Sequence, residues 1–421
     1  MFVQTHDCFR YTMLKVSKCF FLAPRRTPCG FAHFSLSVKE ATKAISRCKR
    51  PVELLRVVAR CQQSQSIDGV FCAAALHRLS ILERHRHDVI EMADAWTLLS
   101  TVAAEHLDGF GAQEIAIAAL AVAKARTKVA KVQSKVLFEK LLGQVLPEMQ
   151  VSSEHLPIRY CANLVWAAAT LRYQGAAAQG LFQRVAKACH QPGLHGLCNA
   201  RDAAQILWAF ATAAETHEGL EVLEKVAIEQ RQGLENFSDH DLATTIWAIA
   251  TLNCPGPQGS ALLHELAGTV SEKDFAPQGL SMVLWGYATL NLMEKSLPTR
   301  RLLETLSPKV VAEASNFTPQ GASNILWAFA TIDTCLTGGK KDHQATDSAE
   351  KANGVASIPE GGLAINALCM SLMEQLLACN GQDIANALWA LASIGHMEPA
   401  PVALFEKICK NYVDLPIHSF T

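Results

Sequence analysis

One pattern of apolar, small and polar positions recurs along most of the chain. It reads NLVWAAATL (163–171), QILWAFATA (205–213), TTIWAIATL (244–252), MVLWGYATL (282–290), NILWAFATI (324–332) and NALWALASI (386–394). With the tryptophan at the origin and about 100° per residue, positions −5, −2, −1, +2 and +5 share one side. They are nearly all apolar, as in Leu280, Val283, Leu284, Tyr287 and Leu290. Positions +1, +3 and −4 are mostly alanine, as in Ala328, Ala330 and Ala204, which lets neighbouring helices approach closely. Recurrence at three and four predicts a helix. Its start is marked as well: Asn199, Ser238, Thr318 and Asn380 stand nine residues before a tryptophan as N-caps, and Pro277 and Pro319 suit the first turn.

A second, amphipathic stretch follows each motif: GLFQRVAKAC (180–189), GLEVLEKVAIEQ (219–230), RRLLETLSPKVVAEA (300–314) and VALFEKICKNYV (402–413). The tryptophans Trp166, Trp208, Trp247, Trp285, Trp327 and Trp389 are spaced by 42, 39, 38, 42 and 62 residues. The long gap holds a polar, Gly-rich run without periodicity, 337–362, which reads as a loop insertion. Two weaker copies lie upstream, FGAQEIAIAALAVAKA (110–125) with Leu120 and DGVFCAAALHRLSI (68–81) with Leu76 in the tryptophan place, whereas Trp96 falls between motifs as plain core. No strand pattern is present. A two-helix unit of this length cannot bury its own apolar face and must stack on its neighbours. The expected fold is all-α, an α-solenoid of about eight two-helix repeats with a period near 40 residues: an array over 51–336, the insertion, and a continuation over 363–421.

The greasy motif helix keeps one polar arc, at roughly 20° to 60° from the tryptophan. Position −7 is Arg159, Arg201, His240, Gln278, Gln320 or Gln382; position −3 is Asn163, Gln205, Thr244, Met282, Asn324 or Asn386; position +4 is Thr or Ser. Stacking would align these arcs into a row. Two readings stand. In one, the hydroxyls bond back to their own helix, the amides ladder between repeats and the tryptophans fill core. In the other, amides, guanidiniums and hydroxyls beside aromatics read a single-stranded nucleic acid, about one base per repeat.

Charge changes the picture at the N-terminus. Residues 1–50 hold ten Lys/Arg against Asp7 and Glu40, while the rest of the chain has a net charge of −9. A basic, acid-poor leader of this kind fits a targeting segment for the mitochondrion, or alternatively the plastid. The obvious basic run in the body is KARTKVAKVQSK (124–135), where Lys124, Arg126, Lys128, Lys131 and Lys135 are either one solvated helix face or phosphate contacts. No window holds 18 uninterrupted apolar residues, so no membrane span is expected. The fourteen cysteines form no CxxC pair and read as reduced, small hydrophobes. There is no HExxH, GxSxG, P-loop or GxGxxG context, and the His-rich ERHRHD (83–88) lacks ligands at metal spacing. An enzyme, a metal, a cofactor and a small-molecule substrate are therefore not expected.

The repeated core resembles organellar helical-repeat RNA-binding proteins: the octotricopeptide repeats and the related FAST-kinase-like, RAP-associated and RNA-editing substrate-binding-complex repeats. GQDIANALWALASIGHMEP (381–399) carries the likeness best, an Ala-Leu-Trp-Ala-Leu-Ala core followed by a Gly turn and Pro. The resemblance implies a binder of single-stranded RNA in organellar RNA processing, stability, editing or translation, working with other proteins of such a complex. Such arrays are often followed by a nuclease-like RAP module, for which the chain, ending in YVDLPIHSFT, leaves no room, so cleavage is not expected. The acidic body counts against strong RNA binding, since phosphate neutralisation dominates affinity. It suits an alternative, an armadillo-like scaffold holding an extended basic peptide. That arrangement places Asn four residues after Trp, where this chain has Thr or Ser.

Overall fold

The computed structural model describes residues 38–412 except 64, 86–87, 126–127, 152–155, 190–198, 216–218, 220, 223–235, 254–255, 292–297, 338–354, 356–357, 359 and 396–397. Among the described residues there are seventeen α-helices and no strand. Most of the expected leader, 1–37, lies outside them. So do nearly all of the amphipathic stretch 219–230 and most of the insertion 337–362. The chain divides into two compact units, Met1–Leu156 and Pro157–Thr421.

The first unit contains α1 (Val38–Arg47), α2 (Pro51–Gln63), α3 (Gly69–Leu82), α4 (Val89–Glu105), α5 (Ala112–Ala123) and α6 (Lys128–Val151). α1 packs on α3 and α3 on α5, while α2 packs on α4 and α4 on α6, so the helices form two rows. The weak motif copies are α3 and α5; Leu76 is fully buried and Leu120 half-buried. The segment 1–50 thus ends in a packed helix: Ala41 and Ile45 of α1 are buried, and Arg78 of α3 donates from Nε to the Cys48 carbonyl at 2.8 Å. Trp96 is core, fully buried on α4, with its indole N–H donating to Glu83 at 3.0 Å.

The second unit contains α7 (Ile158–Thr170), α8 (Ala176–Cys189), α9 (Ala200–Ala213), α10 (Asp239–Leu252), α11 (Gly256–Glu272), α12 (Pro277–Asn291), α13 (Thr299–Glu313), α14 (Pro319–Thr337), α15 (Gly361–Glu374), α16 (Gly381–Ile394) and α17 (Pro399–Tyr412). All six tryptophan motifs are helical. Each motif helix packs on the next, α7 on α9, then α10, α12, α14 and α16. The amphipathic helices make a second row in which α11 packs on α13, α13 on α15 and α15 on α17.

The caps form where the sequence placed them. Asn199 and Asn380 accept from the amides of Asp202 and Asp383 at 2.9 Å, Ser238 from Asp241 at 3.2 Å, and Thr318 from Gly321 at 3.1 Å. Pro277 and Pro319 are the first residues of α12 and α14. Gly395 ends α16 at φ 65°, a left-handed position where glycine carries no Cβ penalty. The apolar positions −5, −2, +2 and +5 are buried in every motif helix except at Ala213, which is half-buried. Small residues fix the spacing. A Cβ on Gly286, at +1 of α12, would lie 2.7 Å from the Ile246 Cγ2 of α10. Burying each such Ile or Leu contributes about 1.5–3 kcal/mol, and the alanines at +1 let the facing helix come close enough to collect it.

Inside the expected insertion, towards its end, Val355 and Ile358 are buried, and the Val355 amide donates to the buried carboxylate of Asp333 at 2.7 Å. α15 therefore starts next to an anchored point, and the helical array resumes at Gly361. The cysteines among the described residues are free. Burial pushes the thiols of Cys72, Cys161 and Cys369 up to about 12, so they remain neutral core groups.

Candidate functional site

The motif helices of the second unit each present the same surface edge. Position −7 is exposed in all six: Arg159, Arg201, His240, Gln278, Gln320 and Gln382. The tryptophans beside it are half-buried, apart from Trp389 of α16, which is exposed. Position −3 is half-buried at Asn163, Gln205, Met282, Asn324 and Asn386. On α7, α9, α14 and α16 an exposed residue at −7, a partly covered amide at −3 and a tryptophan thus stand side by side.

Thr244 departs from this. It was expected on the polar arc, yet it is 7% exposed and its Oγ1 is buried with no hydrogen-bond partner. The physical reason is length. A threonine hydroxyl sits one bond from Cβ and cannot extend to the surface, as glutamine and methionine do at the same position on α9 and α12. The arc is therefore interrupted at α10.

Elsewhere the amides are tied across helices. Gln205 donates from Nε2 to Asn163 Oδ1 and to the Ala162 carbonyl, both at 3.1 Å. Asn386 donates from Nδ2 to Asn324 Oδ1 at 3.3 Å, and Gln382 donates to Asn386 Oδ1 at 2.7 Å. The rings follow the same pairing: Trp166 and Trp208 have centroids 6.0 Å apart and Trp327 and Trp389 6.2 Å, both tilted. At +4, Thr251, Thr289 and Thr331 donate to the tryptophan carbonyls one turn back, at 2.9, 2.8 and 2.9 Å. These hydroxyls are thereby occupied locally, as the first reading of the arc had it, and the same holds for one hydrogen-bonding group of each laddered amide. Each amide has further donor or acceptor capacity.

Sequence reasoning missed the acidic position −6 beneath the arc. Asp202 and Asp383 are both buried. Burial raises the Asp202 pKa, opposed by the Arg159 guanidinium of the preceding helix, whose Nε lies 3.6 Å from the carboxylate. Arg159 is thus both exposed and committed to a partner. Asp383 closes the capping box with Asn380 and lies 3.5 Å from the Ser323 hydroxyl of α14. The available signal was an Asp three residues after the cap in three of the motifs, at 202, 241 and 383.

The basic run lies in the first unit and is less concentrated than its sequence suggests. Lys131 and Lys135 are exposed one turn apart on α6. Lys124 instead sits at the C-cap of α5, half-buried, where its charge joins burial in lowering the pKa of His77. Arg126 and the side chain of Lys128 lie outside the described residues. Among the described residues no cluster of His, Cys, Asp and Glu could hold a metal, and no helix is long and apolar enough to cross a membrane. No protein-family model matches the chain, and a search of curated proteins gives no match.

Proposed function

We propose that the chain is an α-solenoid of about eight two-helix repeats that holds single-stranded RNA along the tryptophan-bordered edge of its motif helices. The observation that carries this reading is the exposure of position −7 in all six motif helices, each beside a partly accessible indole. Arg, Gln and His there donate hydrogen bonds to base edges or phosphates, the ladder amides present further groups, and bases stack on exposed aromatic faces such as Trp389. The net acidic body keeps phosphate neutralisation weak. Affinity is accordingly modest, and partner proteins of an RNA-processing assembly supply the remainder. The basic leader directs the chain to the mitochondrion, or alternatively the plastid, where the RNA would be an organellar transcript.

The test is filter binding of the full chain to single-stranded RNA, duplex DNA and an extended basic peptide, each over a range of salt. RNA is expected to bind most tightly, with a shallow salt slope. Tighter binding of the peptide would transfer the assignment to an armadillo-like scaffold, which the acid excess of the body also suits.

A further inference from the structure

The last described repeat of the second unit, α16 with α17, keeps the packing pattern of its predecessors but leaves one side of it open. Counted from the tryptophan, positions −4, −1 and +3 are buried in α7, α9, α10, α12 and α14. On α16 the same positions hold Ala385 and Ala392, both exposed, and Leu388, half-buried. Trp389 is 46% exposed where its five counterparts are half-buried. This is the side that receives the following helix. At −4, Ser281 of α12 donates to the Gly321 carbonyl of α14 at 3.4 Å. At −1, Ile246 of α10 lies against Gly286 of α12. The second row opens at the same repeat. Leu404 and Ile408 of α17 are buried, as Ala364 and Leu368 are forty residues earlier on α15. Phe405, however, is 52% exposed and Cys409 half-buried, where Ile365 and Cys369 of α15 are fully buried.

The rest of the row shows what fits this face. On each of the five preceding motif helices the cover is another motif helix, brought close by its small residues. The open side of α16 and α17 continues that interface, and apolar side chains left in water on both helices of one repeat mark a contact surface. The α16 face is also self-complementary. Ala385 and Ala392 flank Leu388 at three and four residues, so the order small, large, small reads alike in either direction. A second α16 running antiparallel sets leucine beside leucine and short side chains at either end, where the backbones can approach. Head-to-tail addition of a copy is disfavoured by charge. The first described helix, α1, exposes Lys39, Lys43 and Arg47, and an alkyl face offers those cations no partner.

We infer that α16 and α17 form a two-fold interface with a second copy of this chain, each copy supplying the cover that the other's last described repeat lacks. The inference is independent of RNA binding, because position −7 stands on the far side of the tryptophan from this face. Two helices of fourteen residues, each about 21 Å long, make a small patch. Association is accordingly weak, with a dissociation constant roughly in the micromolar range.

The test is sedimentation equilibrium of the full chain over about 1–100 μM, beside Ala392→Glu and Phe405→Glu. The wild type is expected to pass from one chain to two and to stop there. Two-fold symmetry places each new carboxylate in the interface twice, so either variant should weaken association at least roughly tenfold. Both residues are exposed, so the variants should keep the wild-type circular dichroism and the melting temperature of the dilute protein. A wild type that stays a single chain throughout overturns the inference, whatever else covers the face. Masses that grow beyond two chains overturn it in favour of head-to-tail growth. A dimer left intact by either substitution places the contact elsewhere and overturns it as well.

Discussion

The middle of the motif row and its two ends are built from the same nine-residue pattern and present different surfaces. At one end Asn163 and Gln205 hydrogen-bond across α7 and α9 while Trp166 and Trp208 stand 6.0 Å apart. At the other, Asn324 and Asn386 do the same across α14 and α16 beside Trp327 and Trp389. In the middle, α10 and α12 carry Thr244 and Met282 at the amide position, and Trp247 and Trp285 make no ring pair among the described residues. Cohesion there rests on close fit, Gly286 of α12 against Ile246 of α10. The difference shows that register alone does not fix the surface. Position −7 is exposed on every motif helix, but the residue at −3 decides whether an amide is added beside it.

The largest expected effect tests the sealing. Ile246→Ala removes a fully buried side chain at a close helix contact and should cost about 2–5 kcal/mol. Leu388→Ala, at the same motif position on α16, removes a half-buried side chain and should cost less than half as much. Urea unfolding followed by circular dichroism reads both, with allowance for more than one transition in a repeat array. Equal costs would mean that the last motif helix is as tightly held as the middle.

Next in size is the effect on RNA. Asn324→Ala removes an amide from the α14–α16 pair, and Gln205→Ala does so at α7–α9. Each is expected to weaken RNA binding roughly tenfold, the loss of one or two directed hydrogen bonds. Thr244→Val and Met282→Leu should leave affinity unchanged. If the middle variants weaken binding as much as the end variants, the row is read uniformly and the distinction collapses.

A smaller effect belongs to the first end. Burial raises the Asp202 pKa and Arg159 pulls it back down. A carboxyl whose pKa is raised on folding costs stability above that pKa, and the cost disappears as pH falls through it. Removing Arg159 raises the folded pKa further and enlarges the cost. Arg159→Gln should therefore be less stable than wild type near neutral pH, by about 0.2–1 kcal/mol for so exposed a cation. The gap should close as acid protonates Asp202 in both proteins. Melting temperatures at several pH values measure it; a gap that widens in acid would reverse the assigned sign.

Much of this organisation was legible beforehand because it rests on local chemistry. The caps at Asn199, Ser238, Thr318 and Asn380 were readable since a side-chain oxygen needs only the amide three residues on. The motif helices were readable from small and apolar periodicity, and the exposure of position −7 followed from its angle. What was not legible depends on partners far along the chain. Thr244 is indistinguishable from an exposed threonine until its flanking helices are in place. The pairing of Asp202 with Arg159 joins residues 43 positions apart, and no periodicity marks it. The helix at Val38–Arg47 was hidden by its basic residues, which resemble the leader before it, although Ala41 and Ile45 give it a buried side.

The smallest effect is also the most discriminating for the sealed middle. Thr244 Oγ1 is buried without a partner, so Thr244→Val replaces a stranded hydroxyl by a methyl group of nearly the same size. The dehydration cost of that hydroxyl disappears, and the variant should be as stable as wild type or more stable by up to about 1 kcal/mol. Thr331→Val makes the same chemical change on α14, where the hydroxyl donates to the Trp327 carbonyl at 2.9 Å. There the exchange removes a made hydrogen bond, and a loss of about 0.5–1 kcal/mol is expected. Opposite signs in parallel urea titrations separate the two sites. A loss at Thr244 would reveal an ordered water on its hydroxyl and return that residue to the polar side of the row.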